Sequence, residues 1–322
     1  MKKPVVYFIV GPTACGKTDA AVFAASEMNG EVVSADSIQI YRRLDKGSAK
    51  PTADEMNGIK HHLINVIDYK NEDYSAACFA RDAKAAIDEI VGAGKTPIVA
   101  GGTGLYVNAL LYPLNFTEVL PDIELREKLN RIEMENPGIL HKRLSEVDPK
   151  SAERLHPNDT KRLIRALEVY ERTGKTLTEQ GGDFLNSLKN EIDIEPVIAG
   201  INMDRSLLYD RINKRVDLMI RNGLCDEAFE LYNEAGRKQV LSLQAIGYKQ
   251  FISYFEGEAT FDETVSLIKR DTRRFAKRQI AWFKRDDRIK WFDYGDYSTK
   301  NELNRAIVRY FTEEKERIER EG

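Results

Sequence analysis

Val5-Val6-Tyr7-Phe8-Ile9-Val10 runs straight into Gly11-Pro12-Thr13-Ala14-Cys15-Gly16-Lys17-Thr18, and the reading of this stretch decides the fold. An apolar strand, a glycine-bounded loop and a helical segment, in that order, are the context of a phosphate-binding P-loop. Gly11 and Gly16 let the backbone curl so that successive N–H groups point at an anion. The helix that follows adds the positive end of its dipole. Lys17 brings a mobile positive charge, and Thr18 a hydroxyl placed to ligand a Mg²⁺ held by phosphates. A plain glycine-bounded turn would explain the glycines but not Lys17 and Thr18. The loop is therefore expected to cradle a phosphate or diphosphate, of which compound it does not say.

Outward from the loop, residues 4–117 alternate strand-like and helix-like stretches. A helix over about 17–29 leads to a second strand, Glu31-Val32-Val33-Ser34-Ala35-Asp36, which ends in a carboxylate. His61-His62-Leu63-Ile64-Asn65-Val66 reads as another strand, about 74–93 as an alanine-rich helix, and Thr96-Pro97-Ile98-Val99-Ala100 as a strand ending at Gly101-Gly102-Thr103-Gly104. This order predicts an α/β fold, a P-loop NTPase-like core with a mostly parallel sheet. Ligands of such sheets lie outside the carboxyl ends of the strands, so Asp36 and Thr103 are expected on the same edge as the P-loop. From 118 to 194 the texture is charged, helix-patterned and free of strands, which predicts an all-helical insertion domain. Glu195–Met203 resumes the sheet, helices fill most of 205–290, and Glu313–Gly322 reads as a solvated or frayed helix end. The expected organisation is a core from 1–117 and 195–322 with a helical C-terminal region, interrupted by the insertion at 118–194.

Composition narrows the classes. The 322 residues are 42% hydrophobic, ample for a core, and the net charge of −3 gives no global nucleic-acid signal. Cys15, Cys78 and Cys225 show neither metal nor disulfide spacing, which fits a reduced, cytoplasmic setting. Met1-Lys2-Lys3 and the apolar run after it resemble a signal peptide, but the run is short and ends in the P-loop, so it reads as the first strand. No apolar run is long enough to cross a membrane; a soluble protein, with no membrane partner, is expected, and a monomer.

Local charge adds one signal. Between Lys269 and Lys290 ten basic residues stand against three acids. On a helix Arg270, Arg273, Arg274, Lys277 and Arg278 are read as one outward stripe, with Phe275, Trp282 and Phe283 on the far side in the core. In a chain that is acidic overall, this excess favours a phosphate-backbone partner over an ordinary solvated face.

A P-loop first suggests nucleoside triphosphate chemistry, but the acid that holds Mg²⁺ in such enzymes is missing after Val99-Ala100. Asp36 is the nearest strand-end acid. A small-molecule kinase stays open on the residues alone.

The motifs Gly11–Thr18, Asp36–Tyr41, Gly47-Ser48-Ala49-Lys50-Pro51, His61–Ile64, Gly101–Tyr106, His156-Pro157-Asn158-Asp159, Arg165–Glu168, Ala245-Ile246-Gly247-Tyr248 and Lys277–Phe283 run in one family's order. By them the chain resembles the bacterial tRNA dimethylallyltransferases over roughly residues 4–290. Cys15 stands where serine is common, and Asn65 where aspartate is.

The resemblance implies transfer of a dimethylallyl group from dimethylallyl diphosphate to N6 of the adenosine 3′ to the anticodon, in tRNAs reading codons that begin with U. The P-loop phosphates then become a leaving group. Asp36 would be the general base, Lys17 and a Mg²⁺ on Thr18 would stabilise the diphosphate, Thr103 would orient both sides, and Arg126 would contact substrate. Asp36, Ser37, Ile38, Gln39, Thr103 and Arg126 would meet the tRNA near the reaction channel. Lys161, Arg162, Leu163, Ile164 and Arg165 would grip the anticodon stem-loop, with Gln244, Ala245, Ile246, Gly247, Tyr248 and Lys249. So would Lys277, Arg278, Gln279, Ile280, Ala281, Trp282, Phe283 and Lys284. An adenylate isopentenyltransferase acting on free AMP, ADP or ATP is the nearest rival, but a free nucleotide gives the insertion and the basic segment nothing to bind. His61 and His62 would point to opposite faces of a strand and read as buried, hydrogen-bonded residues rather than metal ligands. Cys15 reads as small-residue packing.

Overall fold

The computed structural model describes residues 3–71, 74–112, 122–179, 192–236 and 240–321. In chain order the elements are β1 (Val5–Val10), α1 (Lys17–Glu27), β2 (Gly30–Ser34), α2 (Ala53–Met56), β3 (His61–His62), α3 (Ala76–Gly92), β4 (Thr96–Gly101) and α4 (Gly104–Leu111). Then come α5 (Ile123–Glu135), α6 (Ile139–Val147), α7 (Pro149–Arg154), α8 (Thr160–Thr173), β5 (Glu195–Asn202), α9 (Arg205–Arg221) and α10 (Leu224–Glu234). The last are α11 (Lys249–Phe255), α12 (Phe261–Phe283), β6 (Lys290–Asp293) and α13 (Lys300–Glu321).

The chain divides into two compact units, Met1–Tyr74, Cys78–Leu110 and Asp193–Gly322 in one, Ser75–Ala77 and Leu111–Ile192 in the other. The expected boundary at 117/118 lies outside the described residues.

The first unit is built on a six-stranded sheet in the order β3-β2-β4-β1-β5-β6, every pair parallel. A parallel sheet is covered on both faces, which is why Val6 to Val10 form one continuous apolar run, all buried. Tyr7 and Ile9 face a core shared with Ala20, Ala21, Ala24 and Ala25 of α1 and Leu303, Ile307 and Phe311 of α13. The small alanines bring α1 close to the sheet, and Tyr7 meets Phe311 with ring centroids 4.9 Å apart. Crossing β4 between β2 and β1 puts the loops after all three strands side by side on one edge.

Two local expectations are corrected and one holds. The strand read over His61–Val66 stops at His62, because Leu63 and Asn65 take φ of +62° and +58°. That left-handed backbone turns the chain so that the N–H groups of Val66 and Ile67 both reach Ile40 O. Lys290–Asp293 is a sixth strand that was not expected, its Trp291-Phe292 too short an apolar run to show a period. The charged segment from Glu313 is the solvated helix end expected: α13 is helical through Glu321 with most of these residues exposed, although Ile318 packs partly against the core. Gly322 lies outside the described residues.

The described elements of the second unit are all helices, α5 to α8, around a core of Leu129, Leu140, Leu144, Leu163, Ile164 and Leu167.

Candidate active site

The P-loop takes the conformation its glycines allow. Gly11 has φ +150°, and a Cβ there would lie 2.6 Å from Ile201 O, so only glycine fits against β5. Gly16, at φ +106°, starts α1. Lys17 folds back and donates to Pro12 O at 2.7 Å, with Cys15 Sγ at 4.0 Å. Desolvation lowers the Lys17 ammonium below the usual lysine range, although Cys15 and Asp36 pull the other way. Cys15 is fully buried packing, as expected. Thr18 is exposed on the first turn of α1. One loop N–H is not aimed at an anion: Thr13 N donates to Gln279 Oε1 at 2.8 Å.

The carboxylate edge follows from β2 and β4. Thr103 N donates to Ala35 O at 3.2 Å, Thr103 Oγ1 accepts from Ser37 N at 3.0 Å, and the Thr103 hydroxyl donates to Ser37 Oγ at 3.3 Å. Asp36 Oδ1 accepts from Ile38 N at 2.8 Å and Gln39 N at 3.2 Å, an Asx turn that fixes the side chain where the strand ends. Asp36 and Thr103 thus stand on the P-loop edge.

A cavity of about 320 Å³ opens there. Thr13, Asp36, Ser37 and Thr103 line its polar end; Ile212, Val216 and Met219 of α9 and Ile268 and Phe275 of α12 line an apolar part; Gln244 to Gly247 complete it. Arg215 of α9 also lines it. Arg215 is half-buried, it makes a long hydrogen bond of 3.5 Å to Ala49 O, and desolvation lowers its guanidinium although Asp36 faces it favourably. Arg211, one turn earlier, reaches toward Gly16 and stacks on Tyr294. Neither arginine stands out in the sequence, where Arg211, Lys214 and Arg215 against Asp210 and Asp217 leave a local excess of only +1. The available signal was their i,i+4 spacing beside the buried stripe Leu208, Ile212, Val216.

Gln39, expected to meet the tRNA near the reaction channel, has its amide engaged within the protein. Its Oε1 accepts from the Ser34 hydroxyl at 3.1 Å, and its Nε2 donates to Ser48 O and Ala49 O at 3.4 Å each. The loop it supports, with Gly47 and Ser48 on the cavity, is gripped from the other side by Glu227 of α10, which accepts from the N–H groups of Asp45, Lys46 and Gly47. Tyr248 is buried rather than presented to a partner. Its hydroxyl donates to Glu227 at 2.6 Å and accepts from Gly47 N at 3.1 Å, and burial holds that hydroxyl well above its ordinary range. Lys249 is exposed.

On α12 the outward cations are Arg270, Arg274, Lys277 and Arg278, with Lys284 and Ala281 also exposed near its end. Arg273 is not among them: it turns to Asn213 Oδ1 at 2.7 Å and lies over Tyr209. Phe275 is not core but cavity wall, three residues from Arg278 and beneath its guanidinium. Gln279 and Phe283 are buried, Ile280 and Trp282 half-buried. A run of eight residues on a helix faces every direction, so it cannot all meet one partner.

In the second unit Arg126 makes a bidentate pair with the fully buried Glu168 at 2.7 and 2.8 Å, and Arg165 reaches the same carboxylate at 2.6 Å. Burial pushes the Glu168 carboxyl up, but these bonds outweigh it and hold the group below its ordinary range. Leu163 and Ile164 are core, while Lys161 and Arg162 are exposed.

His62 Nε2 pairs with Glu31 at 2.6 Å and His61 Nδ1 donates to Ile59 O at 2.9 Å, both partnered as expected. Among the described residues no three His, Cys, Asp or Glu side chains group around a possible metal. In P-loops a Ser or Thr hydroxyl ligates a Mg²⁺ that the substrate phosphates also hold, and the exposed Thr18 hydroxyl beside the phosphate loop suits that mode. No helix among the described residues is long and apolar enough to cross a membrane.

Residues 39–286 match the family model described as IPP transferase. The chain is 46% identical over 307 residues, 95% of its length and 96% of the relative's, to a tRNA dimethylallyltransferase of Caldanaerobacter subterraneus subsp. tengcongensis. Identity is also 46% to a protein of the same name from Clostridioides difficile, over 96% of this chain and 98% of that one. Among solved structures, a full-length tRNA isopentenylpyrophosphate transferase from Bacillus halodurans superposes with a TM-score of 0.73 at 40% identity, covering 99% of each chain. A eukaryotic dimethylallyltransferase acting on tRNA gives 0.77 at 27% identity, over 94% of this chain and 78% of that one. With a family model spanning most of its length and relatives aligned nearly end to end, the chain belongs to the IPP transferase family.

Proposed function

We propose that this chain transfers a dimethylallyl group from dimethylallyl diphosphate to N6 of an adenosine in the anticodon loop of tRNA, the one 3′ to the anticodon in tRNAs reading codons that begin with U. The observation that carries this reading is a single cavity with a carboxylate, Asp36, at the same polar end as the P-loop, and an apolar wall beside it. That is the layout for an amine acceptor, a diphosphate and a short hydrocarbon.

The N6 lone pair forms the new C–N bond while the allylic C–O bond breaks and its electrons leave on the diphosphate. Negative charge grows on the leaving oxygens, and cations fixed beforehand at that position lower the barrier most. Lys17, Arg215 and the remaining P-loop N–H groups are such groups, and the desolvation that lowers both cations strengthens their field. A Mg²⁺ held through Thr18 supplies further charge neutralisation when bound. Asp36 accepts the N6 proton, through the oxygen that is not committed to Ile38 and Gln39. Thr103 holds Ser37 and through it the backbone that carries Asp36. The adenosine must leave its stack to reach that carboxylate. Arg274, Lys277 and Arg278 on α12, with Lys161 and Arg162 of the insertion, are proposed to meet backbone phosphates.

The test offers the purified chain with Mg²⁺ and dimethylallyl diphosphate an anticodon stem-loop, and AMP as rival acceptor, with ATP as a control donor. Prenylation of the stem-loop is expected, with Asp36→Ala losing about 10²-fold or more in turnover while still binding RNA. Transfer to AMP alone would make the chain an adenylate isopentenyltransferase, and phosphate transfer from ATP a kinase.

A further inference from the structure

Gln279 is the polar member of the buried face of α12, in step with Ala276 and Phe283 at helical spacing. Only 6% of it is exposed. Its Oε1 accepts from Thr13 N in the P-loop at 2.8 Å, and its Nε2 donates to Gly102 O at 2.9 Å. The amide orientation is forced, since Thr13 N can only donate and Gly102 O can only accept. A Cβ on Gly102 would collide with that amide nitrogen, so the glycine is what lets the side chain in. The two loops it joins follow adjacent strands, β1 and β4, and among the described residues no backbone hydrogen bond links them beyond the strand register.

The contacts continue in one line. Gly102 precedes Thr103, Thr103 Oγ1 accepts from Ser37 N, and Ser37 follows Asp36. We infer that Gln279 is a positioning residue that holds the phosphate loop in register with the Thr103–Asp36 edge, and so sets the distance between leaving group and base. It touches neither substrate. The inference deepens the transferase reading and rests on it for its kinetic part. It also separates Gln279 from the exposed cations Lys277 and Arg278 on the same helix: those face outward, while Gln279 braces the reaction centre from inside.

The test uses the full-length chain with Gln279→Met, which keeps the volume and loses both bonds, and Gln279→Glu, which keeps an acceptor for Thr13 N but donates to Gly102 O only when protonated. Four quantities are read: kcat, KM for dimethylallyl diphosphate, affinity for the stem-loop, and affinity for inorganic diphosphate. A misplacement of about 1 Å costs on the order of 10²-fold. Expected for Gln279→Met is a 10- to 100-fold fall in kcat, weaker inorganic diphosphate binding, and stem-loop affinity within twofold of wild type. For Gln279→Glu the deficit relative to wild type shrinks as pH falls, because the protonated acid restores the second bond. A Met variant whose defect lies only in stem-loop affinity would make Gln279 an RNA contact. Turnover within twofold of wild type per folded molecule, with a lowered melting temperature, would make it core filler. Should both variants fail to fold, the wild type still decides. Thr13 N–H must exchange slowly with solvent before any diphosphate is added, and exchange at the rate of an open loop overturns the brace. If the wild type prenylates no RNA, the transferase reading fails, while Thr13 protection and the inorganic diphosphate titrations still judge Gln279.

Discussion

Two charged clusters in this molecule follow opposite rules. In the helical insertion Glu168 is completely buried and its two oxygens take four bonds, from Asp122 N, Arg126 twice and Arg165. Every charge meets its opposite, and the network is closed. At the sheet edge Lys17 is bonded to a carbonyl, Arg215 has one long bond to another, and Asp36 gives one oxygen to two backbone N–H groups. Among the described residues no ion pair within 4 Å joins these three, and both cations are lowered by desolvation. A desolvated charge without a partner costs stability. A closed network needs nothing from outside, whereas an open one is what an anionic ligand with an amine acceptor completes.

The comparison breaks most visibly at Arg126, which the family resemblance places in catalysis and the structure places in the closed network. Removing it leaves Glu168 buried with half its partners. Arg126→Met is expected to cost about 3 kcal/mol, the lower end for a broken buried pair because Arg165 remains. Thermal or denaturant melting checks this, with kcat measured on the folded fraction. An unchanged melting curve with lost turnover would move Arg126 out of the closed network and into the reaction centre.

Arg215 is the mirror case. Arg215→Met removes a cation that desolvation disfavours, so the melting temperature should hold or rise. Turnover should fall by about 10²-fold or more, as for loss of one preorganised charge donor. A variant that melts early but turns over normally would show that Arg215 belongs to the scaffold.

The sequence disclosed one side of this contrast more readily than the other. Gly11–Thr18, Asp36 and Thr103 were legible because a strand end and a tight loop fix chemistry within a few residues, and parallel topology then brings the loops together. Arg215, Gln279 and Glu227 were not, since each is a single helical residue whose partner lies far away in the chain, Gln279 being 266 positions from Thr13. The contiguous runs Lys161–Arg165 and Lys277–Lys284 divide for a related reason: a helix turns Leu163, Ile164 and Phe283 inward while Lys161 and Lys277 stay out. The same geometry misplaced Phe275 and Arg273. Faces, unlike segments, depend on what packs against them, and only the folded chain supplies that.

The smallest expected effect concerns pH, where the two clusters should part company. Glu168 titrates lower in the fold than in the unfolded chain. Its stabilisation is therefore complete above the ordinary glutamate range and is lost as pH falls through that range toward the folded value. Lys17 is also lowered, but it is a cation, so the sign reverses. In the window between its folded pKa and the ordinary lysine value the unfolded chain binds more protons, and this group's contribution to stability rises with pH. Diphosphate binding needs the protonated ammonium and must fall in the same window, by at most roughly tenfold per pH unit if one proton controls it. Titrating inorganic diphosphate affinity and melting temperature together on wild type and Lys17→Arg reads both signs at once, since the arginine keeps its charge throughout. The expected result is a wild-type affinity that drops on the alkaline side before the arginine variant's does, with no matching loss of stability assignable to Lys17. Parallel affinity curves for the two proteins would mean that Lys17 is not an open charge at all, and that the sheet edge is as closed as the insertion.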